Sequence, residues 1–103
     1  MTNKISSLFS NKPIQTEIDG IYIQDLPAKE VEESFGSIDD LLKENPEEGI
    51  TKLFTDLICD AEGQPFEDCQ TYDGITANLS IANIRKIVDA AGKALMGEEV
   101  AKN

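Results

Sequence analysis

The chain has 103 residues with 20 Asp+Glu against 9 Lys+Arg and no His or Trp, so its formal net charge is -11 and only 40% of it is apolar. One domain fits this length. An acid excess of this size repels phosphate backbones and anionic lipid heads, which excludes direct binding to nucleic acid or to a membrane surface and leaves a basic partner open.

No apolar run approaches the roughly 20 residues that cross a bilayer, and the stretch from Met1 to Ser10 lacks the apolar core of a signal peptide. A cytosolic protein is expected. Cys59 and Cys69 do not make a disulfide framework, and without His they assemble no zinc set. Both are read as buried or half-buried thiols in preference to a bridge or redox pair.

Residues 1–12, polar and without lasting period, read as a mobile arm ahead of a domain at 13–97, with a polar tail at 98–103. Pro13 to Ile18 alternates apolar and polar, Asp19-Gly20 is a two-residue turn signal, and Ile21 to Gln24 is β-branched and aromatic. This spacing predicts a β-hairpin in which Ile14, Ile18, Ile21 and Ile23 contact whatever packs above, with the inward face left open. Residues 25–35 read as a short helix with Pro27 in its first turn, an apolar set of Leu26, Val31 and Phe35, and an end at Gly36. Ser37 caps a further turn or two with Ile38, Leu41 and Leu42 inward.

The strongest start signal is Asn45-Pro46-Glu47-Glu48: a capping Asn, Pro at the first helical position, and two acids at the positive helix end. Behind it Ile50, Leu53, Phe54, Leu57 and Ile58 follow helical spacing, which predicts a helix over 46–60 with Cys59 beside its apolar stripe. Residues 60–68 read as a loop from their Gly, Pro and acids. In 69–79, Asp73-Gly74 reads as a turn, and 75–79 as either a short helix or an extended piece. From Ser80, Ile81, Ile84, Ile87, Val88, Ala91 and Leu95 mark one face of a last helix over 80–96, with Arg85, Lys86 and Lys93 on the other. The expected core centre is Leu53, Phe54, Leu57, Ile58, Ile84, Ile87, Val88 and Ala91. The fold class is therefore mostly α (α+β): one small domain whose N-terminal β-hairpin packs on several short amphipathic helices.

Carboxylate pairs at Glu32/Glu33, Asp39/Asp40 and Glu47/Glu48 sit in first turns or on polar faces, where they favour the helix dipole and solubility over acid–base chemistry. With no His and no nucleophile motif, the usual activated nucleophiles are missing, and no catalytic residue, cofactor or metal ligand is assigned. The loop from Asp60 fails the calcium-loop pattern, since Gly63 is fourth and Thr71 is twelfth. Charge is uneven. Seventeen acids and three lysines between Glu17 and Asp73 give a net of -14, whereas three acids and three cations balance over 80–101. The acidic part either keeps the domain monodisperse or attracts a basic segment.

The strand Ile21-Tyr22-Ile23-Gln24-Asp25-Leu26 leads into a helix with Ala28-Lys29-Glu30. A second helix ends in Leu57-Ile58 and runs into Asp60-Ala61-Glu62-Gly63-Gln64-Pro65-Phe66, and a last helix starts at Ser80. Over residues 14–97 this order resembles the tail assembly chaperones of long-tailed bacteriophages, whose corresponding motifs are V-Y-V-R-E-L and D-x-D-G-x-P-L-F. The chain departs from that pattern at Gln24, where Arg is common, and at 69–74, where a short acidic helix is expected. The resemblance implies a non-enzymatic factor of the host cell cytoplasm, absent from the mature virion. It would bind the tape measure protein, keep that long helical chain soluble, and recruit tail tube protein, in relatives through a longer frameshifted product. It also implies weak self-association.

The expected contact regions are the edge formed by Tyr22, Leu26, Val31 and Phe35 and the exposed side of the last helix. There a partner's apolar helix with basic flanks would lie, unless the two rings simply seal the hairpin against the helices. The competing reading is an acidic decoy that mimics DNA and occupies a nucleic-acid-binding enzyme. A decoy needs carboxylates at duplex-like intervals, whereas a chaperone needs exposed apolar residues beside its acids.

Overall fold

The computed structural model describes residues 12–96, so the expected tail at 98–103, and the expected arm apart from Lys12, lie outside the described residues. The described residues hold three short strands, β1 (Ile14–Gln15), β2 (Tyr22–Ile23) and β3 (Ile58–Cys59). They also hold five helices: α1 (Ala28–Phe35), α2 (Ile38–Glu44), α3 (Pro46–Asp56), α4 (Tyr72–Asn78) and α5 (Ile81–Leu95). A 3₁₀ turn, Glu67–Cys69, precedes α4. The mostly α (α+β) class and the N-terminal hairpin are as the pattern predicts. No helix among the described residues is long and apolar enough to cross a membrane.

The hairpin has a third strand that the periodicity does not separate from α3. The sheet order is β1-β2-β3, antiparallel throughout, with Ile23 opposite Ile14 and Ile58, and Tyr22 opposite Gln15 and Cys59. The helix expected over 46–60 therefore stops at Asp56, and the Leu57 amide donates to the Leu53 carbonyl at 3.0 Å to close its last turn. Leu57, Ile58 and Cys59 are all buried, so the segment needs cover on every side. Pairing with β2 supplies it and gives the Leu57 carbonyl a bond from the Gln24 amide at 2.9 Å.

The turn is also longer than two residues. Thr16 donates its amide to the Ile21 carbonyl at 3.1 Å, so four residues, 17–20, separate the paired ends, and Gly20 takes the left-handed φ of 84°. Thr16, itself buried, donates its hydroxyl to the same carbonyl at 2.7 Å and accepts from the Ile18 amide at 3.2 Å. This side-chain bridge replaces the ladder bonds that a two-residue turn would have made.

Further along, α1 begins one residue after Pro27, which stands at the N-cap with ψ 150° instead of inside the first turn. Residues before a proline are pushed to extended backbone, which keeps Leu26 out of the helix. Asn45 caps α3 as its sequence indicates, accepting from the Glu48 amide at 3.4 Å and donating to the Glu48 carboxylate at 3.0 Å. In the stretch 69–79, Cys69 ends the 3₁₀ turn and residues 72–78 form α4. Thr71 accepts from the Gly74 amide at 3.0 Å, so Asp73-Gly74 lies in a first helical turn and forms no reverse turn. Gly74 is required by packing, since a Cβ there would stand 2.6 Å from the Asp68 carbonyl oxygen of the 3₁₀ turn.

Seven of the eight expected core residues are buried: Leu53, Phe54, Leu57, Ile58, Ile84, Ile87 and Ala91. Val88 is the exception, half-buried at the core's margin. Ile23, Phe35, Cys59, Cys69, Ile75, Ala90 and Ala94 complete the core. On α5 the buried face is thus turned toward its alanines, which leaves Ile81, expected inward, 73% exposed.

Candidate partner-binding surface

Among the described residues no three His, Cys, Asp or Glu side chains converge as a metal set. Both cysteines are free and buried. Burial, then the neighbouring Asp60 carboxylate, pushes the Cys59 thiol up to about 11. Burial also raises Cys69, with the Asp68 charge and a hydrogen bond to Asp68 acting in the same direction. A raised thiol pKa keeps the reactive thiolate scarce near neutral pH, the opposite of what a nucleophile needs.

The expected edge residues divide. Phe35 is 4% exposed and belongs to the core cluster, with the Lys52 ammonium 5.4 Å from its ring centroid. This ring therefore seals the helices and offers no outer contact, which corrects its assignment to the edge. Leu26 is half-buried and packs against the same core from the strand-to-helix link. Tyr22 on β2 and Val31 on α1 are half-buried as well. Along this run Asp25, Glu30, Glu32 and Glu33 are exposed, so the three incompletely covered apolar side chains alternate with carboxylates.

Two open grooves lie elsewhere on the described surface. One of about 570 Å³ runs over the outer side of α3, between Glu47, Glu48, Lys52, Asp56 and Tyr72. The other, about 940 Å³, lies over the loop after β3, between Asp60, Pro65, Phe66, Glu67 and Asp68. That loop is held by Asp60, whose carboxylate accepts from the amides of Glu62 and Gln64, both at 2.9 Å. Gln24, the departure from the chaperone-like motif, donates its side-chain amide to the Gly63 carbonyl at 2.8 Å and so ties β2 to the loop.

The exposed side of α5 is the second expected contact region. Ile81 and Met96, 73% and 74% exposed, stand at its two ends, with half-buried Val88 and Leu95 between them. The signal was present in the seven-residue spacing of Ile81, Val88 and Leu95, one stripe set slightly apart from the Ile84–Ile87–Ala91 face. Comparison with protein-family models, with curated proteins and with solved structures found no match.

Proposed function

We propose that the chain is a phage tail assembly chaperone that binds the tape measure protein, keeps it soluble and helps recruit tail tube subunits. It acts in the host cell cytoplasm, without catalysis or nucleic acid, and is absent from the mature virion. The observation that carries this reading is that Tyr22, Leu26 and Val31 are each only half-buried, in a run where Asp25, Glu30, Glu32 and Glu33 are exposed. An apolar strip beside acids suits an amphipathic partner helix with basic flanks, while the excess negative charge discourages co-aggregation. A DNA-mimicking decoy would instead need its carboxylates at duplex-like intervals along one face. The reading also draws on the order of motifs along the sequence, strand to helix, helix to Asp60–Phe66 loop, and Ser80-capped last helix.

Co-expression with the tape measure protein tests it. Wild-type chain should keep that protein in the soluble fraction, and a folded variant carrying Tyr22→Glu and Val31→Glu should fail to. If the tape measure protein precipitates beside the wild type, the chaperone reading falls. Equal rescue by the variant would leave the function standing and remove this edge as its site.

A further inference from the structure

We infer that the outer face of α5 is a contact between two copies of this chain, packed antiparallel about a two-fold axis near Val88. Among the described residues the exposed large apolar side chains are Ile14, Ile81 and Met96, and the two most exposed lie on this helix. Ile81, Val88 and Leu95 recur every seven residues, the spacing that keeps one stripe against a neighbouring helix, and Val88 and Leu95, half-buried against the domain's own core, leave only part of each side chain on the outer side. Beside the stripe Gly92 is exposed in the last third of the helix, and a Cβ built there meets no heavy atom within 4 Å. Nothing inside the domain therefore requires glycine, although alanine favours a helix more. A second helix approaching at Gly92 does require it.

The charges on the flank select the occupant. Arg85 makes no ion pair with any described residue, and Asp89, one turn along the same flank, pairs with Lys93 at 3.4 Å while its side chain stays 67% exposed. Two antiparallel copies bring Arg85 of each beside Asp89 of the other, so the flank is complementary to itself. They also set Ile81 over Leu95 of the second copy and Val88 over Val88. Elsewhere two copies repel: residues 17–73 carry a net of -14, whereas 80–101 are neutral. This is an apolar surface on which two such chains meet with less charge repulsion than their acidic segment would impose. The face of one helix about 22 Å long buries well under the roughly 1,200 Å² of a stable interface, so the dimer is weak and forms at high concentration. The inference does not rest on the chaperone reading.

Sedimentation equilibrium of the full chain, from micromolar to millimolar concentration at physiological salt, tests it. The expected result is a monomer–dimer equilibrium, with amide shifts on dilution concentrated along α5. Ile81→Glu and Arg85→Asp alter exposed side chains and should abolish the dimer without loss of fold. Arg85→Asp combined with Asp89→Arg should restore it. Gly92→Ala should raise the thermal midpoint by about 2–5 °C while weakening the dimer several-fold, two changes in opposite directions that only an interface glycine explains. A strict monomer at millimolar concentration overturns the inference, as does a dimer indifferent to Ile81→Glu and Arg85→Asp. Shifts on α5 that follow deletion of residues 1–11 and not dilution would give this face to the chain's own N-terminal segment, and equally overturn it.

Discussion

Cys59 is fully buried on β3 and is followed directly by the Asp60 carboxylate, so its neutral thiol is favoured on two counts. In the unfolded chain the same thiol titrates near its ordinary 9.0, and in the folded protein near 11. Below pH 9 both states hold the proton and stability is complete. Between 9 and 11 the unfolded chain loses it first, so stability falls as pH rises, by on the order of 2 kcal/mol from this group. Urea titrations across that window should show a shallower loss in Cys59→Ala than in wild type, and a disulfide-exchange reagent at pH 8 should label neither cysteine until urea is added. Rapid labelling of the native protein would contradict the burial. Two buried thiols were legible from the sequence, because free cysteine behaves as a small hydrophobe. The burial of Phe35 was not, since an aromatic at the end of a short amphipathic helix has the same pattern whether it faces the core or a partner.

Among the elements, those with both a cap and a period were legible within a residue or two at their starts. Ser80 opens α5, accepting from the Asn83 amide at 3.1 Å, and Asn45-Pro46 opens α3. The failures came where two patterns overlap. Leu57-Ile58-Cys59 extends the stripe of α3 and equally reads as a buried strand, and only the presence of β2 decides between them. On α5, Ala90 and Ala94 bury as fully as Ile84 and Ile87 but are too small to stand out in a hydrophobic period. The α4 segment was obscured by Asp73-Gly74, a pair that favours turns. Here Gly74 serves a close approach between α4 and the 3₁₀ turn. Gly74→Ala would ordinarily favour a helix by about 0.5–1 kcal/mol. The added Cβ instead meets the Asp68 carbonyl at 2.6 Å and the Thr71 hydroxyl at 3.3 Å. Because one obstacle is backbone, α4 must shift, and small-to-large insertions of this kind cost about 1–3 kcal/mol. The expected outcome is a lowered urea midpoint with faster amide exchange in 72–78. An unchanged or raised midpoint would show that the two elements separate at no cost.

For the whole molecule, the surplus of eleven negative charges and the ion pairs seen among the described residues respond to salt in opposite directions, and their magnitudes decide the sign. Lys52–Asp56 at 3.4 Å, Lys93–Asp89 at 3.4 Å and Lys93–Glu17 at 3.8 Å all lie at the surface, where a pair contributes up to about 1 kcal/mol and salt weakens it. Two like charges about 20 Å apart in water repel by only ~0.2 kcal/mol, yet a surplus of eleven makes roughly fifty such pairs. Folding draws them from an expanded chain into a compact one, so repulsion opposes the native state and salt relieves it. The thermal midpoint should therefore rise by a few degrees as the Debye length falls from about 30 Å to about 10 Å. Glu32 and Glu33 sharpen the test: both are exposed in the second half of α1, whose last turn holds no basic residue, so they also face the negative end of the helix dipole. Replacing both by Gln should raise the midpoint at low salt and flatten its dependence on salt, each by differential scanning calorimetry at micromolar concentration, below the range in which the inferred dimer would form. A midpoint that falls as salt is added would mean that the three surface pairs outweigh the repulsion, and would reverse this account of what limits the domain's stability.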